Sequence, residues 1–237
     1  MTPRFLVTAG PTREYLDPVR FLSNPSSGRM GYAIARAALR AGARVTLVSG
    51  PVALEAPAGA RLVRVESAGE MRRAVRRLFR GADVVIMAAA VADYRPRRRL
   101  RRKMKKGAGA IRIEMVRTAD ILAGLGRSRR RAFLVGFAAE TGNPVAEARR
   151  KLRAKRLDMI VANDISRPGA GFGSDFNEAF LIDRAGGIER IPLTTKAALA
   201  RRVVRRCMEA ARGARGRGHG AGGRTRTGTP AEAGSGF

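Results

Sequence analysis

MGYAIARAALRAGARVTLVSG (residues 30–50) holds two kinds of order in one stretch. Over 30–43 the apolar residues recur at helical spacing, and Gly42 stands where a helix would end in a left-handed cap. Over 44–50 the pattern becomes a short apolar run with β-branched residues, as in a strand. Upstream, RFLVTA (4–9) is another such run. Strand, helix, strand is the repeating unit of a parallel sheet, because parallel neighbours need a crossover that a helix supplies.

The unit recurs along the chain. RLVRVES (61–67) reads as a strand and AGEMRRAVRRLFRG (68–81) as an amphipathic helix. DVVIMAAAVAD (83–93) starts as a buried strand and finishes in alanines, where backbone comes close to something else. IRIEMV (111–116), a short helix from about Ala119 to Leu125, and the strand AFLVGFA (132–138) follow. PVAEARRKLRAKRL (144–157) is a helix, DMIVAN (158–163) a strand, EAFLID with GIERIP (178–192) a hairpin, and TKAALARRVVRRCMEAAR (195–212) a closing amphipathic helix. This predicts an α/β fold with a doubly wound, mainly parallel sheet of Rossmann-like topology and ligands at the carboxyl ends of its strands. The arginine-dense stretch around 96–106 is expected to be a basic lid loop, and 213–237, nearly without large apolar residues, a disordered tail.

With 237 residues, 45% of them hydrophobic, the chain can bury one substantial core, and one domain of about 200 residues plus a tail is expected. No apolar run reaches the roughly 18 residues of a membrane span. MTPRFLVTAG passes directly into a strand pattern without the features of a signal peptide, so a cytoplasmic protein is expected. Cys207 and His219 are the one cysteine and the one histidine, which excludes a disulfide framework, a Cys/His zinc centre and a histidine-based triad. Catalysis must then rest on lysine, arginine, carboxylates, amides and backbone groups, a set suited to nucleotidyl or phosphoryl transfer. The formal charge is +29, and much of the excess arginine falls on predicted solvent faces of helices. Without tryptophan and with 5% aromatics the chain has no stacking platform for nucleic acid, whereas a basic field also steers polyanionic substrates.

The loop from Gly10 to Arg29 is too long for the tight GxGxxG turn of a nicotinamide-binding domain. It ends in SNPSSGRMG (23–31), with Ser26, Ser27, Gly28 and Gly31 at a helix entrance. N–H groups, hydroxyls and the positive end of a helix dipole suit a phosphate there; an ordinary surface loop is the plain alternative. AAAVADY (88–94) puts Asp93 beyond a buried strand, at the ligand edge or in a simple turn. Lys103, Lys105 and Lys106 form KMKK in the basic loop, as a cationic lid or as solvated charge. Lys151 and Lys155 share one helix face, and GFAAET (136–141) and VANDIS (161–166) end strands in polar residues.

Taken together, VTAGPTREYLDPVRFLSNPSSGRMGYAIA, AAAVADYRP, KMKK, DILAGLG, VGFAAET, KLRAKRLDMIVAND and GFGSDFNE resemble, in order, the phosphopantothenoylcysteine synthetase family over about residues 4–205. The resemblance implies a synthetase domain over 1–212 and a tail over 213–237. It implies a ligation in which the carboxylate of 4'-phosphopantothenate attacks CTP to give an acyl-cytidylate and pyrophosphate. Cysteine then displaces CMP. CTP is the implied co-substrate and Mg2+ the implied ion on the triphosphate, with Asp93 as its candidate protein contact; no flavin is implied for this chain. Asn24 takes the place of the family's asparagine that acts on the intermediate, and Lys103 that of the first lid lysine; these are the expected catalytic residues. The expected nucleotide-binding positions are Gly10, Ser26, Ser27, Gly28, Ala89, Asp93, Lys103, Ala119, Asp120, Ile121, Leu122, Phe137, Lys151 and Lys155. A homodimer whose lid reaches the neighbouring subunit's site is implied, and a separate flavin-dependent phosphopantothenoylcysteine decarboxylase is a candidate partner. ATP in place of CTP is the close alternative, and a basic nucleic-acid-binding α/β protein the alternative of another class.

The stretch departs from the family at three places. Thr118, Ala119, Asp120 and Ile121 stand where Asn-Pro-Asp-Ile is usual, and loss of the proline removes pre-organisation at the helix start. Arg29 replaces a common lysine, and the arginines over 97–102 exceed what the chemistry requires.

Overall fold

In the computed structural model, which describes residues 2–216 apart from 108, 129–131, 141 and 165–173, RFLVTA forms β1 (Arg4–Ala9) inside an eight-stranded sheet. The predicted tail from 217 onward, and parts of VANDIS and GFGSDFNE, lie outside the described residues. MGYAIARAALR is α1 (Arg29–Arg40), and RVTLVS is β4 (Arg44–Ser49), parallel to β1. Beyond β4 lie β5 (Arg61–Arg64) and α2 (Ala68–Phe79). On the other side of β1 come β6 (Val84–Met87), β9 (Phe133–Glu140) and β10 (Met159–Asp164), all parallel. The chain closes with α5 (Lys196–Gly216) after the antiparallel pair β11 (Phe176–Asp183) and β12 (Ile188–Thr195). The strand order is β12-β11-β10-β9-β6-β1-β4-β5, the doubly wound α/β arrangement expected from the strand–helix alternation.

Two cores flank the sheet. On one face α1 and α5 bury Tyr32, Ile34, Leu199 and Val203 against Phe5, Val7 and Leu47. On the other, α2, α3 (Ile121–Arg127) and α4 (Pro144–Ala154) bury Met71, Leu125 and Leu152 against Leu6, Val85 and Leu134. Continuous apolar runs in the central strands follow from this double burial. Ser67 caps α2: its hydroxyl accepts from the Glu70 N–H at 3.2 Å, while the Glu70 carboxylate accepts from the N–H of Glu66, the residue before the cap, at 2.8 Å.

Two expectations fail in the connections. The Gly10–Arg29 loop contains a hairpin, β2 (Arg13–Tyr15) with β3 (Phe21–Ser23), too short to show a strand period. IRIEMV does not join the main sheet. Only its end forms β8 (Met115–Arg117), which pairs with β7 (Tyr94–Pro96) as a separate ribbon. The reason is spatial: β6 pairs directly with β9 and leaves no slot between them, so Ile111 and Ile113 remain exposed.

Candidate functional site

The strand order reverses around β1: the chain passes to β4 on one side and returns to β6 on the other. Ligands in open α/β sheets bind outside the carboxyl ends of strands at such a switch point. Here Gly10, Pro11 and Thr12 leave β1 beside Ala88, Ala89 and Ala90 leaving β6, and the two loops are tied together. The Ala90 N–H donates to Gly10 O at 2.9 Å, and Pro11 bridges Ala90 as a parallel partner. Two fully buried threonines fix the alanine loop from beneath: Thr8 Oγ1 accepts from the Ala89 N–H (3.1 Å) and Thr12 Oγ1 from the Ala92 N–H (3.0 Å). Neither threonine stands out in the sequence, since each reads as strand or loop filler.

A cavity of about 170 Å³ opens at this edge, lined on one wall by Ser26–Gly31 and on the others by Ala88–Ala90, Phe137, Ala139, Asn163, Asn177 and Lys196. Gly28 is the N-cap of α1 with φ 76°, a left-handed conformation that favours glycine, and the first turn of α1, Arg29, Met30 and Gly31, lines the cavity. Gly31 lets the helix approach β1, since a Cβ there would lie 2.5 Å from Ala9 Cβ and 2.8 Å from Thr8 O. At the rim Arg29 Nη1 pairs with Asp175 Oδ1 at 2.7 Å. Lys196, the first residue of α5, is buried, and its ammonium donates to the Ser174 carbonyl. Burial, then the charge of Arg29, hold its pKa below the ordinary lysine value, with Asp175 opposing. The arrangement is an anion cradle, with two helix N-termini and two cations around one small cavity.

The expected site residues divide. Ser26, Ser27, Gly28, Ala89 and Phe137 meet in the cradle, with Gly10 just behind Gly28. Asn24 is half-buried beside it, its Nδ2 donating to Ala90 O at 3.1 Å. Ala119, Asp120 and Ile121 line a second, larger cleft of about 970 Å³ between α2 and α3, opposite Arg72, Arg76 and Arg80. Asp120 caps α3 by accepting from the Ala123 N–H (2.9 Å), which supplies the order that the missing proline would bring. Lys155 pairs with Asp120 at 3.0 Å, and Lys151 with Glu140. Burial raises the Asp120 pKa, but the Ala123 N–H and Lys155 outweigh it and hold the carboxyl below its usual range. Leu122 packs over Gly136 of β9. Asp93 is exposed; its carbonyl accepts from the Thr118 N–H at 2.8 Å, joining the alanine loop to the approach to α3.

Lys103 is exposed and does not line the cradle of its own chain. Its loop is latched to the β2–β3 turn. The Leu100 N–H donates to Leu16 O (2.8 Å), and the Met104 N–H to Asp17 Oδ2 (3.1 Å). Asp17 is fully buried and also accepts from the Val19 and Arg20 N–H groups, each at 2.8 Å. Burial raises its pKa, but the hydrogen bonds from Val19, Met104 and Arg20 and the Arg20 charge prevail and hold it low. Two of the surplus arginines of the lid find tethers as well. Arg97 pairs with Glu114 at 2.8 Å, and the Arg99 guanidinium lies 4.6 Å from the centre of the Tyr15 ring.

Among the described residues no three histidine, cysteine, aspartate or glutamate side chains cluster as a metal cage. Cys207 is buried, and burial pushes its thiol pKa far up, away from any nucleophilic role. No described helix is long and apolar enough to cross a membrane.

The family described as DNA/pantothenate metabolism flavoprotein C-terminal domain matches residues 2–210. Coenzyme A biosynthesis bifunctional protein CoaBC of Bacillus subtilis (strain 168) is 50% identical over 192 residues, 81% of this chain and 47% of that protein. The protein of that name from Escherichia coli (strain K12) is 48% identical over 195 residues, 81% of this chain and 48% of its own. A crystal structure of the C-terminal domain of Coenzyme A biosynthesis bifunctional protein CoaBC shares 45% identity at a TM-score of 0.74, covering 86% of this chain and 93% of that one. The chain spans about half the length of the curated relatives it matches.

Proposed function

Because this chain belongs to the DNA/pantothenate metabolism flavoprotein C-terminal domain family, we propose that it is a CTP-dependent ligase of coenzyme A biosynthesis that joins 4'-phosphopantothenate to L-cysteine. The observation that carries the reading is the convergence of Ser26–Gly31, Ala88–Ala90 and Phe137 on one anion cradle at the switch point. In the first step a carboxylate oxygen of phosphopantothenate bonds to the α-phosphorus of CTP, and the bond from that phosphorus to the β-phosphate oxygen breaks, releasing pyrophosphate. In the second the cysteine amine bonds to the acyl carbon, the carbon–oxygen bond to CMP breaks, and the amine proton passes to water. No step needs a protein nucleophile, and the buried Cys207 offers none. Catalysis is by placement and charge.

A cavity of about 170 Å³ is small for a whole nucleotide, since ligand sites of that kind span about 300–1,000 Å³. In this reading the cradle takes the phosphates of the nucleotide. The rest of the nucleotide reaches toward Asp93, Ala119–Leu122, Lys151 and Lys155. Ser26, Ser27, Gly28 and Ala89 then serve the nucleotide, while Asn24 stands beside them where the acyl-cytidylate forms. A Mg2+ carried by the triphosphate needs only one or two protein carboxylates, and Asp93 is exposed at the right edge. Held there, such an ion would neutralise charge on the triphosphate oxygens.

The protein acts as a homodimer in this reading. Phe21 and Leu22 on one ribbon and Tyr94, Leu100, Ile111 and Ile113 on the other ribbon and lid are exposed, which suits a surface covered by a second copy. That copy's Lys103 completes the site. A flavin-dependent decarboxylase, corresponding to the remaining half of the relatives, consumes the product. The test is a coupled assay: CMP and pyrophosphate appear only with phosphopantothenate, cysteine and CTP together. Equal product from ATP alone overturns the nucleotide assignment, and salt-sensitive nucleic-acid binding without turnover overturns the ligase.

A further inference from the structure

We propose that the cleft between α2 and α3 is a second anion site, built for a small molecule that carries several phosphate groups. It lies on the face of the sheet opposite α1 and its cradle. Of its lining, only Ala119–Ile121 is shared with the nucleotide arm of the ligase reading.

The cleft exists because α3 packs against α4 and leaves its other side open. A Cβ at Gly126 would lie 1.8 Å from the carbonyl oxygen of Lys155, the C-cap of α4, so that glycine seats α3 there. Gly124 lines the cleft, with nothing within 4 Å of the place a Cβ would take. A bare helix surface thus faces α2 across about 970 Å³, near the top of the range of about 300–1,000 Å³ for small-molecule sites. The buried Ile121 and Leu125 and the half-buried Phe79 give the space an apolar floor.

Opposite that surface α2 raises a ridge of cations. Arg72, Arg76 and Arg80 recur every four residues and so share one face, with Arg77 beside them. Among the described residues none of these four forms an ion pair, whereas on α4 and α5 Arg150 pairs with Glu147, Arg202 with Glu189 and Arg206 with Asp183. The helix itself does not account for the ridge. Like charges four residues apart repel, and the dipole favours cations at the end of α2 but not at Arg72. Asp120 is the one carboxylate in the lining, and the Ala123 N–H and Lys155 already engage it. A bound anion relieves the repulsion, and guanidinium forks meet phosphate oxygens two at a time. From Arg72 to Arg80 the ridge runs about 12 Å at 1.5 Å per residue, more than one phosphate can span. With no tryptophan or tyrosine in its lining, the cleft lacks the platform on which single-stranded nucleic acid stacks.

The test is a titration of the full chain with tripolyphosphate at about 150 mM salt, where surface charges are screened beyond about 8 Å. The Nε–H resonances of Arg77 and Arg127 are followed, because both line the cleft and neither touches the cradle. They should shift and saturate in the parent. In the combined variant Arg72→Gln, Arg76→Gln, Arg80→Gln the midpoint should rise tenfold or more. Gly124→Glu keeps every arginine, sets a carboxylate in the open space, and should raise the midpoint as much; Gly124→Ala should leave it within about twofold. Melting like that of the parent establishes that each variant folds. Shifts that fail to saturate or vanish at this salt mark a diffuse basic field and overturn the proposal, as do equal midpoints in the parent and the folded variants. A single-stranded oligonucleotide that moves the same resonances at lower concentration than tripolyphosphate assigns the cleft to nucleic acid and overturns it too.

Discussion

The side-chain amide of Asn24 donates to the carbonyl of Ala90, 3.1 Å away, and so joins the helix-entrance loop to the alanine loop of the neighbouring strand. That carbonyl also accepts the Thr12 N–H at 3.3 Å, so the Asn24 amide is held without being essential to the loop. Asn24→Ala should therefore fold and bind normally. With the amide gone, pyrophosphate is released in a burst while CMP release slows by about a hundredfold, the scale for loss of one positioned donor. Quenched-flow separation of the acyl-cytidylate measures this; parallel loss of both products argues against the role.

Lys103 pairs with no carboxylate among the described residues and stands exposed beside the latched Met104. Lys103→Gln should slow formation of the acyl-cytidylate, read as pyrophosphate release, by tenfold or more at unchanged melting temperature, and Lys103→Arg should recover part of the rate. Unchanged rates for Lys103→Gln remove it from the mechanism.

Asp17 couples the lid to acid. Its folded pKa lies below its ordinary value of 3.8, so the stability it adds is complete above that value and is lost as pH falls through the lower folded value. The Met104 amide resonance should shift with that protonation, and Asp17→Asn should abolish the shift. At neutral pH Asp17→Ala should unlatch the lid and speed tryptic cleavage within residues 97–106 several-fold. Cleavage at the parent rate in Asp17→Ala rules out the latch.

Gly31 has no room for a methyl group. Gly31→Ala places a Cβ 2.5 Å from that of Ala9, and overpacking of this kind costs about 1–3 kcal/mol. The expected result is a lower melting temperature together with a raised KM for CTP, because the displaced helix carries the cradle with it. A melting temperature and KM equal to those of the parent contradict this geometry.

The exposed ribbons should hold the dimer. Leu22→Glu and Ile113→Glu, both at exposed apolar positions, should yield a folded monomer with turnover reduced by tenfold or more, measured by sedimentation velocity and the coupled assay. A monomeric parent chain with full activity refutes the dimer.

The sheet was legible because both of its faces are covered. Burial on two sides leaves runs such as VTLV and VVIM, and the helices between them carry one apolar stripe each. The helix entrance was legible from Ser26, Ser27 and Gly28, whose local chemistry is written in adjacent residues. Asp17, Thr8 and Thr12 were not. Each acts through a hydrogen bond to a backbone group more than seventy residues away, and no local period marks such a partner. Asn177 and Lys196 escaped for the same reason, since only the placement of β11 and α5 beside α1 makes them neighbours of Gly28.

The latch at Asp17 also bears on time. With the Leu100 and Met104 amides already bonded to Leu16 and Asp17, the backbone next to Lys103 does not have to be recruited when a nucleotide arrives. Under the role proposed for Lys103, what is left for the ammonium to find is a side-chain rotamer, a search of picoseconds to nanoseconds, in place of a loop excursion of nanoseconds to microseconds. A lid tied down at its base can thus offer its charge faster than the substrates diffuse in.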